Sequence, residues 1–80
     1  MWYYLVRYSF DPDKHVVGPF DTEDAAWSAA VNDAKREVKV SQEEADANID
    51  ISIYEGCREI TIIDHYVRGD DTTEYIVFEI

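Results

Sequence analysis

Trp2, Tyr4, Val6, Tyr8 and Phe10 occupy every second position of the opening segment, with Tyr3 and Leu5 between the first three of them. A period of two is that of a pleated strand, so Trp2 to Phe10 is predicted to form one strand with those five side chains on a single face. This commits a chain of only 80 residues to building a sheet from its first residues. Residues 1–80 are expected to form a single domain with one modest core, which excludes a multidomain enzyme with a separate cofactor module.

Asp11-Pro12-Asp13-Lys14-His15 has turn chemistry, and a short return strand through Val16-Val17 is expected to end at Gly18-Pro19. A helix should start in Phe20-Asp21-Thr22-Glu23-Asp24-Ala25, with Asp21 accepting from the free amides and the early acids complementing the helix dipole. Trp27, Ala30, Val31, Ala34 and Val38 then recur at spacings of three and four, a single apolar stripe ending near Val38 or Lys39. Ser41-Gln42-Glu43-Glu44 reads as a second capping box, with a further helical turn from Glu43 to Ala47. Ile49, Ile51 and Ile53 alternate with polar residues, Glu55-Gly56-Cys57-Arg58 breaks the run, and alternation resumes from Glu59 to Tyr66. A turn at Arg68-Gly69-Asp70-Asp71-Thr72 precedes a last strand from Glu74 to Ile80. The expected fold class is α+β: two layers, a mostly antiparallel sheet of four to five strands in the order ββαβββ, and one long helix on one face.

One helix covers one sheet face. If Ile49, Ile51, Ile53, Ile60, Ile62, Ile76, Phe78 and Ile80 face the helix, then Tyr54, Thr61, Ile63, His65, Tyr75 and Val77 face away, joined by Tyr3 and Leu5. That second face would be an aromatic and aliphatic patch rimmed by Asp50, Glu59 and Glu79, the pattern of an interaction surface. Cross-strand Tyr, Thr and Ile pairs serve a solvated sheet equally well.

Charge narrows the partners. With 18 Asp and Glu against 7 Lys and Arg, the net charge of -11 repels nucleic acid phosphates and anionic lipid headgroups, which disfavours direct nucleic acid or membrane binding. A basic protein is the expected partner. The acids gather around Glu43, Glu44, Asp46 and Asp50, and again at Asp70, Asp71 and Glu74. Carboxylates on helix and strand frames repeat on the scale of adjacent backbone phosphates, so such a surface can imitate a nucleic acid. An acidic surface kept for solubility has the same composition. The partner-binding candidates are Glu43, Glu44, Asp46, Asp50, Tyr54, Asp70, Asp71, Glu74 and Tyr75.

No catalytic, cofactor or metal site is expected. Cys57 stands between Glu55 and Glu59 with only Arg58 to stabilise a thiolate, and the histidines, His15 and His65, sit in segments without the remaining ligands of a zinc or calcium site. The three glycines form no phosphate-binding loop. A single cysteine, and an opening segment without a cationic stretch before its apolar run, suggest a cytoplasmic protein.

Val16-Val17-Gly18-Pro19-Phe20-Asp21-Thr22-Glu23-Asp24-Ala25 resembles the strand-to-helix element of peptidoglycan-binding SPOR domains. Those domains carry two comparable helices and act in the cell envelope, so their activity does not transfer to a chain with one long helix and strong acidity. In size, charge and the Gly18-Pro19-Phe20 approach to its helix, the chain is similar to small acidic proteins of phages and mobile elements, among them anti-CRISPR and other DNA-mimic inhibitors. That resemblance implies a non-enzymatic protein that occludes a cationic, nucleic-acid-binding protein surface, and it brings no catalytic residues with it. The alternative is a homodimeric structural or adaptor protein that buries its helix-free sheet face, its acidity serving solubility.

Overall fold

The computed structural model describes residues 1–44 and 49–80. In chain order the elements are β1 (Trp2–Tyr8), β2 (Lys14–Phe20), α1 (Glu23–Glu44), β3 (Asp50–Glu55), β4 (Glu59–Tyr66) and β5 (Gly69–Glu79). The strands form one antiparallel sheet in the order β2-β1-β5-β4-β3. This is the expected α+β architecture, ββαβββ with one helix on one face. A two-strand hairpin and a three-strand meander meet along β1 and β5, and α1 connects the two outer strands by crossing the sheet. Where the central strands end, the Met1 amino group donates to the Ile80 carbonyl at 2.9 Å. Among the described residues no helix is long and apolar enough to cross a membrane.

The Asp11 carboxylate accepts from the Asp13 amide at 2.9 Å, the local bond that makes aspartate a turn residue. β1 stops at Tyr8, two residues before the predicted end, and Phe10 is exposed in the turn. β2 runs on through Gly18-Pro19 to Phe20 instead of ending there. It does so across an irregularity opposite Trp2 and Tyr4, where Gly18 takes φ +145°.

Thr22, not Asp21, caps the helix: its hydroxyl accepts from the Ala25 amide at 3.1 Å. The buried line along α1 is Ala26, Ala30, Ala34 and Ser41, while Trp27, Val31 and Val38 flank it half-buried. The predicted stripe is thus rotated, with alanines at its centre rather than Trp27. Small residues there leave room for the large side chains rising from the sheet, Tyr4, Tyr75, Ile60 and Ile62, all buried. Ser41 begins no second helix. It lies inside the first, which continues past Lys39 to Glu44 because no Gly or Pro interrupts it. Residues 45–47 of the predicted further turn, Asp46 among them, lie outside the described residues.

The β4–β5 turn overturns the predicted faces of the last strand. Tyr66 pairs with Gly69, so only Val67 and Arg68 separate the strands, and Asp70 and Asp71 belong to β5 rather than to the turn. This register sets Tyr75 opposite Ile60 and Thr73 opposite Ile62. Facing residues share a side, so Tyr75 and Val77 lie under the helix and Ile76 and Phe78 lie on the open face, the reverse of the alternation expected above.

Candidate acidic binding site

The two acidic runs, distant in sequence, meet at one end of the domain. Asp50 pairs with His65 and His65 with Asp70 across β3, β4 and β5, while Asp64 pairs with Asp71 on the helix side. Glu44, the last helical residue, lines the same cleft as Asp64 and Asp71, with Phe10, Glu37, Ser41, Tyr66 and Arg68 completing its walls and a volume of about 380 Å³. Glu43 precedes Glu44 on the exposed helix end. The helix dipole adds negative potential here, and no basic residue occupies the last turn to offset it.

Three candidates, Tyr54, Glu74 and Tyr75, do not join this pole. Glu74 is held on the open face by Arg7, 2.7 Å away. Tyr75 is 1% exposed beneath the helix and cannot touch a partner. Tyr54 is 60% exposed on the open face of the edge strand β3. Cys57 is exposed in the turn between β3 and β4, beside Glu55 and Glu59 and at the opposite end of these strands from Asp50 and His65.

Asp64 is the residue whose setting is most unusual. It is 6% exposed; Ser41 Oγ donates to its Oδ2 at 2.9 Å, and its Oδ1 is buried with no hydrogen-bond partner among the described residues. Beside it Arg68 donates twice to Asp71, at 3.2 and 2.6 Å, and its guanidinium lies 4.5 Å from the centre of the Tyr66 ring. On the open side His65 Nδ1 is 3.1 Å from Asp70 Oδ1 and its Nε2 is 2.9 Å from Ser52 Oγ. Among the described residues no three His, Cys, Asp or Glu side chains converge to hold a metal ion.

The negative field shows in the titrating groups. Burial, reinforced by Asp64, Asp33 and Glu44, pushes the Glu37 carboxyl above the ordinary range, and burial with Asp64 and Asp71 pushes up the Tyr66 hydroxyl. A carboxyl raised in the folded state contributes stability that is complete at pH values below its unfolded pKa and lost as pH rises through its folded pKa. Glu37→Gln is therefore expected to raise the urea midpoint at pH 7. The gain should vanish below about pH 4, where the glutamate is protonated folded and unfolded. Denaturation curves at the two pH values check this.

Sequence reasoning located both acidic runs but missed Glu37, Asp64 and the cleft. Asp64 continues the inward series Ile60, Ile62, 64, so a carboxylate at a core position was the available signal. Comparison of the chain with family models, with curated proteins and with solved structures finds no match.

Proposed function

We propose that the chain is a non-enzymatic acidic binding protein that occludes a cationic, nucleic-acid-binding surface of another protein, in the manner of DNA-mimic inhibitors such as the anti-CRISPR proteins. The observation that carries this reading is the convergence of Glu43, Glu44, Asp50, Asp64, Asp70 and Asp71 with the helix C-terminus at one pole, opposed there by the single arginine Arg68 among the described residues. Carboxylates set opposite one another across strands, as Asp64 and Asp71 are, cost stability, and Arg68 offsets that cost at Asp71.

Retention of proteins from a bacterial lysate at about 0.1 M salt and their release at about 1 M, followed by competition of each with DNA, tests the reading. Joint neutralisation of Glu43, Glu44, Asp50, Asp70 and Asp71 to Gln or Asn is expected to slow association with the captured protein at least tenfold and flatten its salt dependence. Tyr54→Ala should mainly speed dissociation. Native association kinetics in the neutralised protein would leave the charge a solubility device. Neutralising Glu74 should matter little, because it lies away from this pole, beside Arg7.

A second reading has its own observation. Tyr3 stacks on Phe78 with ring centres 5.7 Å apart, and Leu5 lies between Val16 and Ile76, a continuous apolar strip on the open face. A homodimer would bury it, and the mass in solution decides: a monomer at micromolar concentration removes this alternative.

A further inference from the structure

We infer that the outer edge of β3 takes up an extended, basic segment of a partner protein as a sixth strand of the sheet, an inference that rests on the binding reading above and adds to it a contact made by the backbone. β3 ends the sheet, and among the described residues no strand pairs with its outer side. The Gly56 amide donates to the Glu59 carbonyl at 2.8 Å. Bonds of an antiparallel ladder alternate, so this one fixes the backbone groups of Tyr54, Ser52 and Asp50 toward β4 and those of Glu55, Ile53 and Ile51 outward. The outward N–H and C=O groups are a template for another strand.

The opposite edge of the sheet is protected, and this one is not. β2 carries Lys14, Pro19 and the irregularity opposite Trp2 and Tyr4, devices that discourage strand addition. β3 has no lysine, proline or register shift. Beside it α1, which packs chiefly over the other four strands, leaves a groove of about 140 Å³ lined by Val31, Val38, Ile53 and Ile62, with Lys35 and Glu55. An apolar cavity of about this size holds a benzene molecule. The groove therefore has room for one apolar side chain, from the residue of an added strand that stands opposite Ile53. Ile53 pairs with Ile62 on the helix side yet is 53% exposed, and an added strand would cover it.

Charge names the occupant. β3 bears Asp50 and Glu55 and no base, so the residues set against them on an added strand are favoured as cations. Tyr54, exposed on the open face, offers its ring to another. The fitting segment is basic at both ends and apolar opposite Ile51 and Ile53. A second copy of the chain fits poorly, because each brings a net charge of -11.

The probe is the peptide acetyl-Lys-Arg-Val-Thr-Val-Lys-amide, which in antiparallel pairing sets its first lysine opposite Glu55 and its last opposite Asp50. It is titrated into the isotope-labelled protein and followed by the amide signals of Ile51, Ile53 and Glu55, which are expected to shift saturably. N-methylation of the two valines, whose amides face β3, should weaken binding at least tenfold. N-methylation of the arginine and the threonine, whose amides face away, should change it less than threefold. Ile53→Lys should weaken binding about tenfold, and Val16→Lys on the opposite edge less than twofold. Equal losses from the two methylated peptides, equal losses in the two variants, or shifts confined to Asp64, Asp70 and Asp71 would overturn strand addition. A dimer that forms with rising concentration and is abolished by Ile53→Lys would give the edge to a second copy and overturn the basic occupant. Should Ile53→Lys fail to fold, the methylated peptides carry the comparison on the native protein. The edge and the inhibitor reading fail separately. Alternating sensitivity to N-methylation without capture of any basic protein leaves the edge standing alone, whereas native affinity of folded Ile53→Lys for a captured protein overturns the edge and spares the inhibitor.

Discussion

Tyr75→Ala is expected to lower folding stability by about 3 to 5 kcal/mol, the range for emptying a buried aromatic site. Tyr75 is 1% exposed, and it lies beneath α1 beside Tyr4 with ring centres 6.3 Å apart. The alanines of the helix have no side chain long enough to refill the space. Tyr75→Phe should behave in the opposite sense. The Tyr75 hydroxyl is buried without a partner among the described residues, so its removal is expected to be neutral or to stabilise by about 1 kcal/mol or more. Urea denaturation of both variants gives the answer. A loss below about 1 kcal/mol for Tyr75→Ala, with a larger loss for Phe78→Ala, would return β5 to the inverted alternation.

Gly18→Ala should be the next most damaging, at about 2 to 3 kcal/mol. Gly18 holds φ +145°, and a Cβ there would sit 2.7 Å from Tyr3 Cδ1 and 3.0 Å from the Trp2 carbonyl oxygen. The ring can turn aside; the backbone oxygen of β1 cannot without loosening its pairing with β2. Two penalties fall on one methyl group. A thermal unfolding midpoint within about 2 °C of the parent would show that the segment tolerates a side chain.

The helix, the strand order along the chain and the α+β class were legible because each rests on a local period, two for Trp2 to Phe10 and 3.6 for Trp27 to Val38. The faces of β5 were not, because Tyr75 and Val77 are as apolar as Ile76 and Phe78 and alternation alone cannot choose between them. The choice belongs to the turn. Two residues between Tyr66 and Gly69, rather than five, shift the pairing and exchange the faces. The acidic pole was half legible for a similar reason. Asp50 and Asp70 are twenty residues apart in sequence and become neighbours only through His65, which stands between them in the sheet. Glu37 and Asp64 come together in the cleft only when the helix is laid over the sheet.

The bond between Met1 and Ile80 gives the domain a handle. Both chain ends lie beside each other where β1 begins and β5 finishes, and β5 runs from there back to Asp70, roughly 30 Å at the rise of an extended strand. A surface, a label or a neighbouring domain attached through either end would hold the protein by this blunt tip and leave the carboxylates pointing outward. Immobilising the protein by its termini therefore orients every molecule in the same productive sense, whereas coupling through surface carboxyl groups would blind the pole it is meant to display.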